Sequence, residues 1–237
     1  MTTRPLFTDA AILVNLKEEL IVDKIELPRE LKPGQVLIQV LVSGICGSQI
    51  GEIDGVKGVD KFLPHLLGHE GCGIVLEIGP GVSTLKKGDK VVLHWKKGLG
   101  INSETPTYKW RGSKLNAGWV TTFNKHAVIS ENRCTKINNE IKNDHAALFG
   151  CAVTTGFGVI ENNAKLKIGE SIIVFGAGGI GLNIIQAAKL VSAYPIIAVD
   201  LYGERLELAL KFGATHIINT SQQEFIEEIQ KITNSID

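Results

Sequence analysis

The chain has 237 residues, 44% of them hydrophobic, with 25 basic residues against 25 acidic ones. That apolar share fills the core of one large or two small domains, and zero formal charge gives no electrostatic ground for nucleic acid or an anionic membrane as partner. The start, MTTRPLFTDAAIL, lacks the features of a secretory signal; no apolar stretch spans a bilayer, and four irregularly spaced cysteines make no secreted disulfide frame, so a soluble cytoplasmic protein is expected.

Short β-rich runs separated by turns fill the first half. Val36, Ile38, Val40 and Val42 alternate with Leu37, Gln39, Leu41 and Ser43, which predicts a strand with one strongly apolar face. Gly73 to Ile78, followed by Gly79-Pro80-Gly81, reads as strand then turn, and Val91 to Leu93 as another strand. Lys96 to Gly118 reads as a polar loop carrying Tyr108 and Trp110. This half is expected to be a mostly β, barrel-like domain.

Beyond residue 165 the pattern becomes strand–helix–strand–helix. Ser171 to Phe175 is a buried-type strand, and the next helix carries Ile180, Ile184, Ala188 and Val191 on one stripe. Ile196 to Val199 is a second strand. A helix over Glu204 to Phe212 follows, stopped by Gly213, and His216 to Ile218 is a short third strand. Ser221 and Glu224 have capping-box spacing ahead of a helix bearing Phe225, Ile229 and Ile232. Such alternation predicts a parallel sheet.

Between the first of these strands and its helix stands Gly176-Ala177-Gly178-Gly179-Ile180-Gly181, a G-x-G-x-x-G match. In that context Gly176 permits the tight turn, Gly178 lets the backbone approach a pyrophosphate, and Gly181 lets helix and strand pack closely. The helix N-terminus offers N–H groups and a positive dipole end to phosphates. Asp200, nineteen residues past Gly181 at the end of the second strand, suits the adenosine ribose hydroxyls. Its charge favours NAD over NADP, while Arg205 could meet a 2′-phosphate.

Three candidate metal ligands are scattered through the first half: Cys46, His69 and Cys151. Two thiolates and an imidazole are a known zinc set that leaves a fourth position open for chemistry. Their surroundings read Gly44-Ile45-Cys46-Gly47-Ser48, Gly68-His69-Glu70 and Gly150-Cys151-Ala152-Val153-Thr154-Thr155-Gly156. With the glycine loop, these strings resemble the medium-chain zinc alcohol dehydrogenases over essentially the whole chain.

The resemblance implies a GroES-like catalytic domain over 1–152 and a Rossmann domain over 153–237. It implies Cys46, His69 and Cys151 as ligands of a catalytic zinc, Glu70 as a carboxylate beside the metal, and Ser48 as the hydroxyl relaying the alcohol proton. Thr155 and Ile180 match positions touching the nicotinamide, joining Gly176, Gly178, Gly179, Gly181, Asp200 and Arg205 in the NAD site. Trp95 matches an aromatic wall of the substrate pocket. The implied reaction is reversible hydride transfer from a small alcohol to NAD, giving an aldehyde or ketone, with no nucleic-acid or membrane partner and a homo-oligomeric full-length form.

The departures carry information too. No cysteine lies between Cys72 and Cys134, so the four-cysteine structural zinc of many members is not expected. Gln49 replaces an acidic residue that often supports the histidine ligand. Gly51 stands where some members end the proton relay with a histidine, and Gly47 brings no basic side chain to the pyrophosphate. Only the first half of a dinucleotide domain is expected within 237 residues, so this fragment alone is expected to be inactive. A polyol or sugar dehydrogenase of the same family, or a non-catalytic truncated relative, are the alternatives. The former usually carries a Glu-Pro pair where Cys151 stands.

Overall fold

The computed structural model describes residues 4–222 and 224–233. The chain divides into two compact units, residues 1–151 and 152–237.

Among its described residues, the first unit holds two antiparallel five-stranded sheets, two short α-helices and a 3₁₀ turn over Glu131–Arg133. One sheet has the order β4 (His65–Leu66), β1 (Phe7–Leu13), β2 (Ile21–Glu26), β7 (Tyr108–Trp110), β8 (Ser113–Leu115). The other runs β10 (Cys134–Lys136), β6 (Lys90–Leu93), β5 (Gly71–Ile78), β3 (Gln35–Ser43), β9 (His126–Ser130). The helices are α1 (Gly47–Ile53) and α2 (Asn143–Leu148).

Strand β3 departs from simple alternation, because its first four residues are all buried. It sits centrally, paired with β5 and β9, and both its faces are covered. Leu37 joins a core with Ile12, Ile25, Tyr108 and Leu115, while Val36 and Ile38 join one with Val75, Leu93 and Ile129. A strand packed on two sides needs apolar residues on both.

The stretch expected as a polar loop contains instead the β7–β8 hairpin. Its two-residue turn is Arg111-Gly112, both at positive φ (49° and 77°), the handedness that suits a tight hairpin. Tyr108 and Leu115 are fully buried, and the Tyr108 hydroxyl accepts the Val128 amide at 2.7 Å. Only three residues per strand face inward or pair, which is too short a pattern for period-2 reading. Nearby, buried Glu131 ties down the neighbouring backbone. One carboxylate oxygen accepts the Ser83 and Thr84 amides and the Thr84 hydroxyl, each at 2.8 Å, and the other accepts the Ile101 amide at 2.7 Å.

The second unit opens with α3 (Ala152–Gly158) and a π-helical turn over Val159–Ala164. Then follow β11 (Ile172–Phe175), α4 (Gly179–Leu190), β12 (Ile196–Asp200), α5 (Gly203–Phe212), β13 (His216–Asn219) and α6 (Phe225–Thr233). The strands form a parallel sheet in the order β11-β12-β13. Gly213 ends α5 at φ +126°.

Two local expectations are corrected. The buried stripe of α4 is Gly181, Ile185, Ala187 and Ala188, and Ile180 is exposed. The close approach of Gly181 to the loop beneath it sets the helix rotation, and this turns Ile180 outward. No capping box involves Ser221: its hydroxyl donates to Asn219 at 2.6 Å, and α6 begins at Phe225. The Asn219 side chain offers a nearer acceptor and closes a turn of its own. Phe225, Ile229 and Ile232 do pack together against the sheet core. Among the described residues, no helix is long and apolar enough to cross a membrane.

Candidate active site

Cys46 caps the start of α1, so the helix fixes the direction of the residues that follow it. Ser48 is exposed on this helix, and Gln49 is its buried residue. His69 and Glu70 directly precede β5. Cys151 closes the first unit and is held close by Gly150. A β-carbon at Gly150 would lie 2.3 Å from the Leu93 carbonyl oxygen and 2.7 Å from the Glu70 α-carbon. Only glycine allows that approach.

The three ligand-type residues read from the sequence converge. One atom each of Cys46, His69 and Cys151 lie within 4.8 Å of one another. The two sulfurs are 3.8 Å apart and both cysteines are free thiols. Two sulfurs bound about 2.3 Å from a tetrahedral metal stand roughly 3.8 Å apart, so the spacing fits zinc. Nε2 of His69 is buried without a hydrogen-bond partner, and burial holds this imidazole below its ordinary pKa, in the neutral form that ligates. On its other side, Nδ1 meets the Gln49 amide at 2.5 Å. Glu70 is buried beside the group, and its carbonyl accepts the Gly44 amide at 3.0 Å. The Cys₂His set thus fits a zinc ion with one position left for a substrate oxygen.

A cavity of about 600 Å³ opens on this group, lined by Gln49, His69, Leu67, Phe62, Trp119 and Val120 among others. Trp95 is not part of its lining. It is 48% exposed, and its carbonyl accepts the Arg133 guanidinium at 2.6 Å. Trp119 stands in the wall instead, with its indole N–H on the Ser103 carbonyl at 2.9 Å. Nothing in the local sequence marks Trp119, because its place in the wall is set by contacts distant along the chain, such as the Ser130 amide donating to its carbonyl at 2.9 Å. Cys72 and Cys134 are buried, and burial pushes both thiols up, away from the reactive thiolate.

The glycine loop belongs to the second unit. Gly176 has φ +91° and donates its amide to the Val199 carbonyl at 2.7 Å. A β-carbon at Gly181 would fall 1.8 Å from the Gly176 carbonyl oxygen, so this position admits glycine alone. At Gly178 and Gly179 a β-carbon would meet nothing within 4 Å, which leaves the start of α4 open to an anion. Asp200 ends β12. Its carboxylate accepts the Ala177 amide at 2.7 Å and the Tyr202 amide at 3.0 Å, with Arg205 at 3.7 Å. Burial opposes ionisation there, but those amides and Arg205 outweigh it and hold the carboxyl below its usual range. Arg205 also lies over the Tyr202 ring, 4.7 Å from its centre. Thr155 is half-buried on α3, and exposed Ile180 is free to meet a ligand.

Comparison with known proteins places this arrangement. Residues 32–139 match the alcohol dehydrogenase GroES-like domain, and residues 179–237 the zinc-binding dehydrogenase domain. Benzyl alcohol dehydrogenase from Acinetobacter calcoaceticus superposes with a TM-score of 0.84 at 30% identity, over 96% of this chain and 68% of that one. The chain belongs to the medium-chain zinc alcohol dehydrogenase family. Another member, an alcohol dehydrogenase zinc-binding domain protein from Burkholderia ambifaria, has a TM-score of 0.87 at 29% identity, again over 96% and 68%. An S-(hydroxymethyl)glutathione dehydrogenase from Escherichia coli O1:K1 / APEC is 36% identical over 213 residues, covering 79% of this chain. The chain spans 58% of that family member's length.

Proposed function

We propose that the protein acts as a zinc-dependent alcohol dehydrogenase, moving a hydride reversibly between an alcohol and NAD to give an aldehyde or ketone. The observation that carries this reading is the convergence of His69 Nε2 with the Cys46 and Cys151 sulfurs, beside a cavity with room for a small substrate. Zinc held there would supply Lewis acidity at a substrate oxygen, and NAD would supply the hydride acceptor. Cys46, His69 and Cys151 form the proposed ligand set, one zinc per chain, with Gln49 orienting the imidazole and Glu70 lending charge beside it. The Ser48 hydroxyl takes the alcohol proton and passes it outward, a role suited to its exposure on α1. Gly176, Gly178, Gly179 and Gly181 cradle the pyrophosphate, and Asp200 accepts the ribose hydroxyls with lone pairs not used by Ala177 and Tyr202. Arg205, paired to Asp200, is drawn away from binding a 2′-phosphate, which supports NAD. Thr155 and Ile180 are assigned to the nicotinamide, and Trp119 replaces Trp95 as the aromatic wall. The reading includes a cytoplasmic location and self-association.

The experiment is a coupled readout of zinc and turnover. NADH formation is followed in a full-length enzyme carrying these residues, with a panel of primary alcohols including benzyl alcohol and S-(hydroxymethyl)glutathione, for the wild type, Cys46→Ala and Ser48→Ala. Turnover lost with the zinc in Cys46→Ala, and cut about 10²–10⁴-fold with zinc retained in Ser48→Ala, supports the reading. Full turnover by zinc-free Cys46→Ala would overturn it.

A further inference from the structure

A second cluster of ligand-type side chains borders the same cavity. His65, Glu52 and Asp60 each present an atom within 4.8 Å of the others. The His65 side chain is only 9% exposed, and its Nδ1 lies 3.0 Å from the Leu66 carbonyl oxygen. A carbonyl only accepts, so Nδ1 carries the hydrogen. That leaves Nε2 pointing at the carboxylates, 2.8 Å from Asp60 Oδ2 and 3.8 Å from Glu52 Oε1. A bare nitrogen lone pair and a carboxylate oxygen repel at 2.8 Å, so a positive species must sit between them. A proton on His65 balances one carboxylate, whereas a divalent cation balances both.

The remaining geometry suits the cation. The Asp60 carboxylate is held in place by the Phe62 amide, which donates to Oδ1 at 2.8 Å. A histidine whose far nitrogen is tied to a backbone carbonyl, facing a fixed carboxylate, is how proteins orient a metal-binding imidazole. One imidazole and two carboxylates are a donor set for manganese or a similar divalent ion, while thiolates select zinc. The cavity admits water to complete the coordination sphere.

We infer that His65, Asp60 and Glu52 form a second, exchangeable divalent-cation site on the wall of the cavity, separate from the Cys46–His69–Cys151 group. The site places a cation with water-filled coordination positions on the cavity wall, and so favours ligands that bring oxygen donors of their own.

Manganese(II) is the probe, because it prefers carboxylate and water oxygens over thiolate. Zinc-loaded protein is titrated with Mn²⁺, and the free ion is followed by electron paramagnetic resonance. The expected result is one bound Mn²⁺ per chain with zinc undisturbed. Asp60→Asn should abolish it, and Glu52→Gln, a change at a half-exposed side chain, should weaken it about tenfold or more. Cys46→Ala should leave it intact, so the outcome does not depend on the zinc reading. No Mn²⁺ bound by the wild type, or binding unchanged in both carboxylate variants, would overturn the inference and leave a plain His65–Asp60 ion pair.

Discussion

The Gln49 side-chain amide lies 2.5 Å from Nδ1 of His69, and its own Oε1 is buried without a hydrogen-bond partner. With the amide nitrogen donating to Nδ1, His69 carries its proton on Nε2, facing the two cysteines. A metal on Nε2 needs the opposite tautomer, in which Nδ1–H donates. The amide meets that need by turning over, since its oxygen and nitrogen ends occupy nearly the same space. A carboxylate at this position serves only one tautomer, whereas the amide serves both.

Gln49→Leu should therefore weaken zinc binding about 10–100-fold, the usual cost of losing a partner that orients a metal-bound histidine. Gln49→Glu should hold zinc at least as tightly as the wild type, because a carboxylate always accepts from Nδ1–H. Competition with a chromophoric chelator measures both. Equal affinity in the leucine variant would show that packing alone fixes the ring.

Asp200 gives a second prediction. Its carboxylate serves the loop through Ala177 and Tyr202 as well as any ribose, so Asp200→Asn should cost NADH about 10–100-fold in affinity, the worth of charge-assisted hydrogen bonds. NADPH should lose much less, since the repelling charge is gone. Titration of NADH and NADPH fluorescence reads both. Tighter NADPH than NADH binding by the unmodified protein would show that Arg205 governs the site.

Glu131 gives a third, about stability. Burial opposes its ionisation, yet the Ile101, Thr84 and Ser83 amides and the Thr84 hydroxyl hold its pKa below the ordinary value. A lowered folded-state pKa means stability that is present above the unfolded pKa and lost as pH falls through the folded one. Glu131 should thus contribute fully at neutral pH and fade below the normal carboxylate range. Glu131→Gln turns one acceptor into a donor facing N–H groups, and should cost about 1–3 kcal/mol. Urea midpoints at neutral and acidic pH measure this. An unchanged midpoint at neutral pH would contradict it.

The site was legible in the sequence where the residues that carry chemistry stand in recognisable strings. Four cysteines and six histidines do not by themselves say which three converge; Cys46, His69 and Cys151 stood out through the family-like strings around them, and Gly181 through its place in the G-x-G-x-x-G match. The parallel sheet was legible because short apolar runs alternate with helical stretches, an order that implies parallel strands. Trp119 and the hairpin around Tyr108 were not. Three-residue strands show no period, and a wall residue is chosen by tertiary folding rather than by its neighbours in sequence. The rotation of α4 was missed for a related reason: a glycine contact set it, and glycine carries no hydrophobic signal.

The central claim, that Cys46, His69 and Cys151 hold one catalytic zinc, is tested most directly by metal content. Wild type, Cys46→Ala, His69→Ala and Cys151→Ala are dialysed against zinc-free buffer and assayed by elemental mass spectrometry, with circular dichroism confirming that each is folded. The account predicts one tightly held zinc per chain in the wild type and none in the three variants. Zinc retained by any folded variant, or two tightly held zinc ions in the wild type, would contradict it.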